Sequence, residues 1–235
     1  MSQSAASQNS AATKKTPEKN RIFIVDDHAM FREGLRQLIE REPDFAVCGD
    51  VATAAEALSA IADVPPDLVI VDISLSGTSG IDLIKAIREQ HEDLPVLVVS
   101  MHEETLYAQR ALRAGAMGYV MKQEPGKTVK AAIRKVLGGN LHLSEAMSAT
   151  MLARNMRGDQ ILRPASPIEA LSDRELEVFR MLGQGKGVRL IAEELQLTIP
   201  TVNSFRNRIK EKLSLKSSTE VMLHAIQWLR ESSTG

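Results

Sequence analysis

Three aspartates close two short apolar runs. Ile22-Phe23-Ile24-Val25 is followed by Asp26-Asp27, and Leu68-Val69-Ile70-Val71 is followed by Asp72. Runs of this length suit strands buried on both faces of a parallel sheet, whose carboxyl ends form the edge where open α/β folds bind ligands. Acids gathered at such an edge repel one another unless a cation or a proton intervenes. Two further strand-like runs end in Ser100 and Lys122, adding a hydroxyl and an ammonium. A carboxylate is a weak nucleophile, yet it accepts a phosphoryl group to form an aspartyl phosphate. That transfer needs in-line positioning and charge neutralisation more than acid–base help, and Mg2+ suits carboxylate-type oxygens plus waters. Capping of the helix that follows explains one of Asp26 and Asp27, but not both together with a third acid at another strand end.

A second stretch with chemical potential is Thr201-Val202-Asn203-Ser204-Phe205-Arg206-Asn207-Arg208-Ile209-Lys210. Val202, Phe205, Ile209 and Leu213 recur at helical spacing, which leaves Asn203, Arg206, Asn207 and Lys210 together on the other side. Arg and Lys neutralise phosphates or reach guanine, and Asn pairs with adenine edges in the major groove. The stretch is therefore read as DNA-contacting, with Thr201, Ser204 and Arg208 beside the four. Charge agrees: within 201–216, Arg206, Arg208, Lys210, Lys212 and Lys216 oppose only Glu211, although the whole chain carries −1. Residues 21–141 hold 13 Lys/Arg against 18 Asp/Glu, so the positive charge sits where it could meet phosphate. Gly183-Gln184-Gly185-Lys186-Gly187 lacks full phosphate-loop spacing and follows a helical pattern, so it is read as a helix end and turn.

The elements that must position these groups alternate. Strand patterns cover Ile22–Val25, Phe45–Asp50, Leu68–Asp72, Pro95–Ser100 and Gly118–Met121. Helical patterns lie between them: Ala29–Glu42, Ala54–Ala62, Gly80–Gln90, Glu104–Ala114 and Lys127–Leu137. Five strands each followed by a helix predict a doubly wound five-stranded parallel sheet, with right-handed crossovers covering both faces. The remainder is all-α in pattern. Ser172–Glu175 and Ser217–Glu220 read as capping boxes, and Thr198 caps a helix that tolerates Pro200 in its first turn. Four short helices, the middle pair joined by a tight turn, suggest helix-turn-helix. The expected organisation is a disordered tail over 1–20, an α/β domain over 21–140, a linker with a helical segment over 141–168, and the helical domain over 169–232.

With 235 residues, two modest domains fit. Apolar runs of four to six residues exclude a spanning segment and a secretory core, and no Gly follows Met1, so no membrane association and a cytoplasmic location are expected. Cys48 is the only cysteine, which excludes an internal disulfide; it is expected to be buried.

In combination, Val25-Asp26-Asp27-His28, Val71-Asp72-Ile73, Val99-Ser100-Met101 and Gly118-Tyr119-Val120-Met121-Lys122 resemble a response-regulator receiver domain, which is flavodoxin-like. Residues 171–230 resemble a LuxR-type helix-turn-helix. Together they are similar to the NarL/FixJ family of two-component transcription factors. The resemblance implies that Asp72 accepts phosphate from a sensor histidine kinase. It implies that Asp27, Asp72 and the Ser74 carbonyl contact Mg2+, while Asp26 helps through a water. Lys122 would pair with phosphoryl oxygens, Ser100 would donate its hydroxyl, and Tyr119 would be the aromatic switch. His28 is not read as a ligand, because magnesium prefers oxygen. Ser74 and His102 stand where the family tunes dephosphorylation. Two departures appear: Ser76 stands where receivers usually have proline, and Gln123 follows Lys122 where proline is common. The resemblance further implies double-stranded DNA as partner and a homodimer, when phosphorylated or DNA-bound, through Val221, Met222 and Ala225. It also implies a receiver that covers the basic helix before phosphorylation. No nucleophile–base pair for a small-molecule substrate is visible, so no enzyme is expected beyond the receiver's own phosphorylation and dephosphorylation. The alternative is a regulator that binds DNA regardless of phosphate and uses the receiver as a protein-interaction surface.

Overall fold

A computed structural model describes residues 19–156 and 167–232; the expected tail up to residue 18 and the linker residues 157–166 lie outside that description. Five strands form one parallel sheet: β1 (Asn20–Val25), β2 (Phe45–Val51), β3 (Leu68–Val71), β4 (Val96–Ser100) and β5 (Gly118–Met121). Their order is β2-β1-β3-β4-β5. The chain winds outward from β1 to β2, then crosses back to β3 on the other side. Val25 and Val71 are therefore register partners, and Asp26 and Asp72 follow at adjoining strand ends. This reversal is where open sheets leave a crevice.

Helices α1 (Ala29–Glu40), α2 (Ala54–Asp63), α3 (Gly80–Gln90), α4 (Glu104–Ala114) and α5 (Gly126–Leu137) cover the sheet. Alternation along the strands sends Ile22, Ile24, Leu68, Ile70, Leu97 and Val99 to the face shared with α1 and α5. Phe23, Val25, Val69, Val71, Val96 and Val98 point to the face shared with α2, α3 and α4. Each fully buried aliphatic contributes about 1.5–3 kcal/mol, so two filled faces hold the strand ends rigidly. The first strand begins at Asn20, within the expected tail, because Asn20 donates its amide to the Asp44 carbonyl at 2.9 Å. Cys48 is half-buried rather than buried, since β2 is an edge strand with one flank open. Burial still pushes its thiol pKa up.

The linker expected from residue 141 starts as part of the sheet domain. His142 donates its amide to Met117 (3.0 Å) and accepts from the Tyr119 amide (2.9 Å), pairing beside β5. Helix α6 (Glu145–Met156) follows and buries Met147.

A 3-10 turn (Pro167–Ala170) leads into α7 (Asp173–Gly183), α8 (Val188–Glu194), α9 (Ile199–Lys212) and α10 (Ser218–Ser232). The Ser172–Glu175 capping box is complete, and the Thr198 hydroxyl accepts the Thr201 amide at the start of α9. At Ser217 only half of the expected box forms: its hydroxyl takes the Glu220 amide, but the Glu220 carboxylate takes the Lys216 amide. Gly183 lets α7 approach α10 closely, since a Cβ there would stand 2.6 Å from the Ala225 carbonyl oxygen. Gly185, at φ +79°, makes the turn to α8.

Candidate functional site

The acidic crevice is built from four loop starts. Lys122, one residue past β5, places Nζ 2.6 Å from Asp26 Oδ2 and 2.7 Å from Asp72 Oδ2. All three side chains are almost wholly buried, and the ammonium also lies 4.4 Å from the centre of the Phe31 ring. One cation thus bridges two carboxylates that would otherwise repel. Burial raises the Asp72 carboxyl pKa; the Lys122 charge opposes that rise and the Asp26 charge adds to it. The Asp26 carboxylate also accepts the His28 amide at 2.8 Å, while His28 itself, as N-cap of α1, makes no side-chain cap.

Asp27 takes a hydrogen bond from the Ser76 hydroxyl at 2.7 Å, while its buried Oδ1 has no hydrogen-bond partner. The proline expected at 76 would have no such donor; this bond joins residues 49 apart, and no local pattern marks it. The Phe31 contact was equally invisible, reading only as part of an apolar helix face. An orphaned oxygen beside two more acids is a donor set for a hard divalent cation, and Asp26, Asp27, His28 and Asp72 each offer an atom within 4.8 Å of the others. The residues present therefore fit the metal that the sequence implies. Ser74 donates its amide to Asp72 Oδ1 at 3.3 Å and pairs its hydroxyl with His102 Nε2 at 2.7 Å. Burial drives His102 down to a pKa of about 3, so at neutral pH its ring is uncharged; it stacks on Tyr107 at 4.3 Å.

Ser100 is fully buried, with its hydroxyl accepting the His102 amide at 3.3 Å. Tyr119 is also buried, and its hydroxyl donates to the His102 carbonyl at 2.9 Å. Burial raises the Tyr119 pKa. The ring already lies inside, next to the crevice loop, rather than at the sheet edge. Among the described residues no peptide bond is cis, so the Lys122–Gln123 bond is trans.

A cavity of about 440 Å3 opens from Asp27, Asp72 and Ser74 to Arg174, Glu177 and Arg180 of α7. Two elements hold this arrangement. Arg110 of α4 donates to the carbonyls of Leu171 (2.6 Å) and Ile168 (3.1 Å) and pairs with Asp173 at 3.2 Å. Arg174 donates to the Leu75 carbonyl at 2.9 Å. Burial raises the Glu177 carboxyl pKa, although Arg174 beside it pulls the other way. Sequence reasoning missed this contact, since nothing local distinguishes these residues from a solvated helix face.

The second site lies on α9. Val202 and Ile209 are buried, while Asn203, Ser204, Asn207 and Arg208 are exposed and Thr201, Arg206 and Lys210 partly so. The Arg206 guanidinium donates to Asn203 Oδ1 at 3.3 Å, keeping both heads on one face. This face corrects one expectation: the receiver does not cover the basic helix, but meets the 3-10 turn and α7 instead. The dimerisation residues need a larger correction. Val221 and Ala225 are fully buried in the domain's own core, because α10 packs on α7; of the three, only Met222 is exposed, with Leu223 beside it.

Comparison with known proteins assigns both domains to families. Residues 22–134 match the response regulator receiver domain, and 169–225 match the bacterial regulatory proteins of the luxR family. The chain is 31% identical over 210 residues to the oxygen regulatory protein NreC of Staphylococcus carnosus, covering 88% of this chain and 97% of that one. It is 34% identical to a LuxR-family two-component response regulator from Aurantimonas, at a TM-score of 0.55 over 59% of this chain and 99% of the other. RcsB of Salmonella enterica serovar Typhimurium, bound to a promoter in the presence of the phosphomimetic BeF3−, shares the fold at 22% identity and a TM-score of 0.58, over 88% of this chain and 98% of that one.

Proposed function

The chain belongs to the two-component response regulators that join a receiver domain to a LuxR-type DNA-binding domain, and on that premise we propose that Asp72 is its phosphoacceptor and α9 its DNA-reading element. The observation that carries the proposal is Asp72 itself, buried at the end of β3 with Asp26 and Lys122 converging on it. A sensor histidine kinase is the donor. The P–N bond of its phosphohistidine breaks as a P–O bond to Asp72 forms, and Asp72 needs no proton to attack. Asp26, Asp27, Asp72 and the Ser74 carbonyl would hold Mg2+, which supplies charge neutralisation to the incoming phosphoryl group. Lys122 stays with the phosphoryl oxygens, and the Ser100 hydroxyl turns to donate to one of them. Ser100 and Tyr119 share the His102 backbone as a partner, so movement of one is felt by the other. No separate substrate is transformed; the chemistry is confined to the protein's own Asp72.

The parts of the chain divide the work as a receiver from Asn20 through the His142 pairing beside β5, a connecting segment that contains α6, and a DNA-binding domain from the 3-10 turn through α10. Thr201, Asn203, Ser204, Arg206, Asn207, Arg208 and Lys210 face double-stranded DNA. A homodimer on DNA would use the exposed Met222 and Leu223 rather than Val221 and Ala225. Among the described residues no helix is long and apolar enough to cross a membrane, which supports a cytoplasmic regulator. Footprinting of an operator fragment with wild type and Asp72→Asn, with and without acetyl phosphate, tests the proposal. Protection should strengthen with the phosphodonor for wild type alone; equal footprints in all four lanes would remove the switch.

A second reading rests on the exposed face of α9: without phosphate that face is already open to solvent. It makes the chain a DNA-binding regulator that does not wait for phosphorylation, its receiver serving as a docking surface. Equal footprints, together with no acid-labile adduct on wild type, are the outcome this reading requires.

A further inference from the structure

His28 stands at the mouth of the acidic crevice with its ring turned inward. Its Nδ1 lies 2.7 Å from Asp27 Oδ1, 3.4 Å from Asp26 Oδ1 and 3.9 Å from Asp72 Oδ2. The shortest of these is an ion-pair distance, although Asp27 Oδ1 makes no hydrogen bond. One oxygen from each of Asp26, Asp27 and Asp72 and a ring nitrogen of His28 all lie within 4.8 Å of one another, as ligands of a single cation must. Six-coordinate cations with bonds of about 2.1 Å set adjacent ligands about 3.0 Å apart and opposite ligands about 4.2 Å apart. The contacts of His28 Nδ1 with Asp26 and Asp72 fall in that range, and the one with Asp27 lies about 0.3 Å below it. On Asp26, Lys122 takes Oδ2 and leaves Oδ1 to the His28 amide and imidazole, whereas on Asp72 it already holds Oδ2 at 2.7 Å.

The backbone explains why the ring is held there. His28 is the N-cap of α1, in extended conformation, and its amide is tied to Asp26 at 2.8 Å. Its side chain is 60% exposed, so the mouth of the crevice is open to water on that side.

We propose that the receiver site is a mixed nitrogen–oxygen site, in which the imidazole of His28 joins the carboxylates in binding a first-row transition divalent cation such as Mn2+ or Co2+. The inference rests on the reading of this crevice as a divalent-cation site. Imidazole adds affinity for those ions, whereas Mg2+ gains little from nitrogen and dehydrates reluctantly. His28 thus sets which divalent cation the crevice prefers.

Untagged full-length protein in mildly alkaline buffer, where a free imidazole is unprotonated, supplies the test. Mn2+ binding is titrated by the EPR signal of the free ion, Mg2+ by competition, and bound Mn2+ is examined by pulsed EPR for coupling to 14N. Wild type should show imidazole 14N modulation. His28→Ala should lose it and bind Mn2+ about 10-fold more weakly, with its Mg2+ affinity changed less than about twofold. Conservative replacement by His28→Asn should not restore the coupling. Bound Mn2+ without 14N modulation in wild type, or equal weakening of both cations in His28→Ala, overturns the proposal and leaves the crevice as an all-oxygen site. No binding of either cation by wild type overturns the site reading along with it.

Discussion

At the scale of single residues, the crevice is a buried charge triad whose balance depends on Lys122. Removing one partner of a buried ion pair leaves an uncompensated charge, at a cost of about 3–5 kcal/mol. Lys122→Met leaves Asp26 and Asp72 facing each other in a dry site. A loss of about 3 kcal/mol is expected at neutral pH in urea denaturation with EDTA present. The pH dependence has a definite sign. Burial already raises the Asp72 pKa, and without the ammonium it rises further, so the folded variant binds a proton that the unfolded chain binds only at lower pH. Stability of the variant relative to wild type should therefore recover as pH falls from neutral towards the unfolded carboxylate pKa of about 4. A deficit that stays constant over that range would mean the triad is not the cause. Of these residues, Asp26, Asp27, Asp72, Ser100 and Lys122 were legible because each ends a strand-like run. Ser76 and Phe31 were not, since each meets the crevice only after α1 and the loop beyond β3 have folded over it.

Among the elements, the turn from β3 into α3 controls where Asp72 points. Gly80 opens α3 directly beneath it, and a Cβ there would sit 2.0 Å from the Asp72 carbonyl oxygen. No rotamer change relieves a clash with backbone. Gly80→Ala should therefore displace the acceptor loop, losing about 1–3 kcal/mol in denaturant unfolding and most of the labelling by acetyl phosphate. Retention of full labelling and stability would show that the loop absorbs the shift of about 1 Å that this contact demands. The helices and strands themselves were readable from period and caps. Their ends moved where a tertiary partner intervened: β1 gained Asn20 from pairing with the β2 edge, and the segment after α5 gained a rung beside β5 at His142.

Across the whole molecule, the DNA-binding domain closes over the Asp72 crevice through α7 while the polar face of α9 stays exposed. Arg110 is the principal tie, since one guanidinium satisfies two carbonyls and a carboxylate across the contact. Arg110→Ala should separate the domains and increase the radius of gyration in solution scattering, without affecting the helical content seen by circular dichroism. An unchanged scattering curve would mean that Arg110 does not hold the two domains together. On the proposed reading, a phosphoryl group on Asp72 would share this cavity with Glu177, which would repel it, and with Arg180, whose buried Nε has no hydrogen-bond partner among the described residues.

Composition, period and strand-end chemistry alone determined that this is a parallel α/β domain followed by a helix-turn-helix, with Asp72 at an acidic edge. Those features are local, because alternation and capping need only neighbours in the chain. Tertiary structure decided the rest. It turned Val221 and Ala225 into core, since α10 has two faces and only packing on α7 selects the inner one. It brought Lys122 to Asp26 and Asp72 and Arg110 to the 3-10 turn, because contacts between distant segments follow from how rigid bodies meet, which no local pattern encodes.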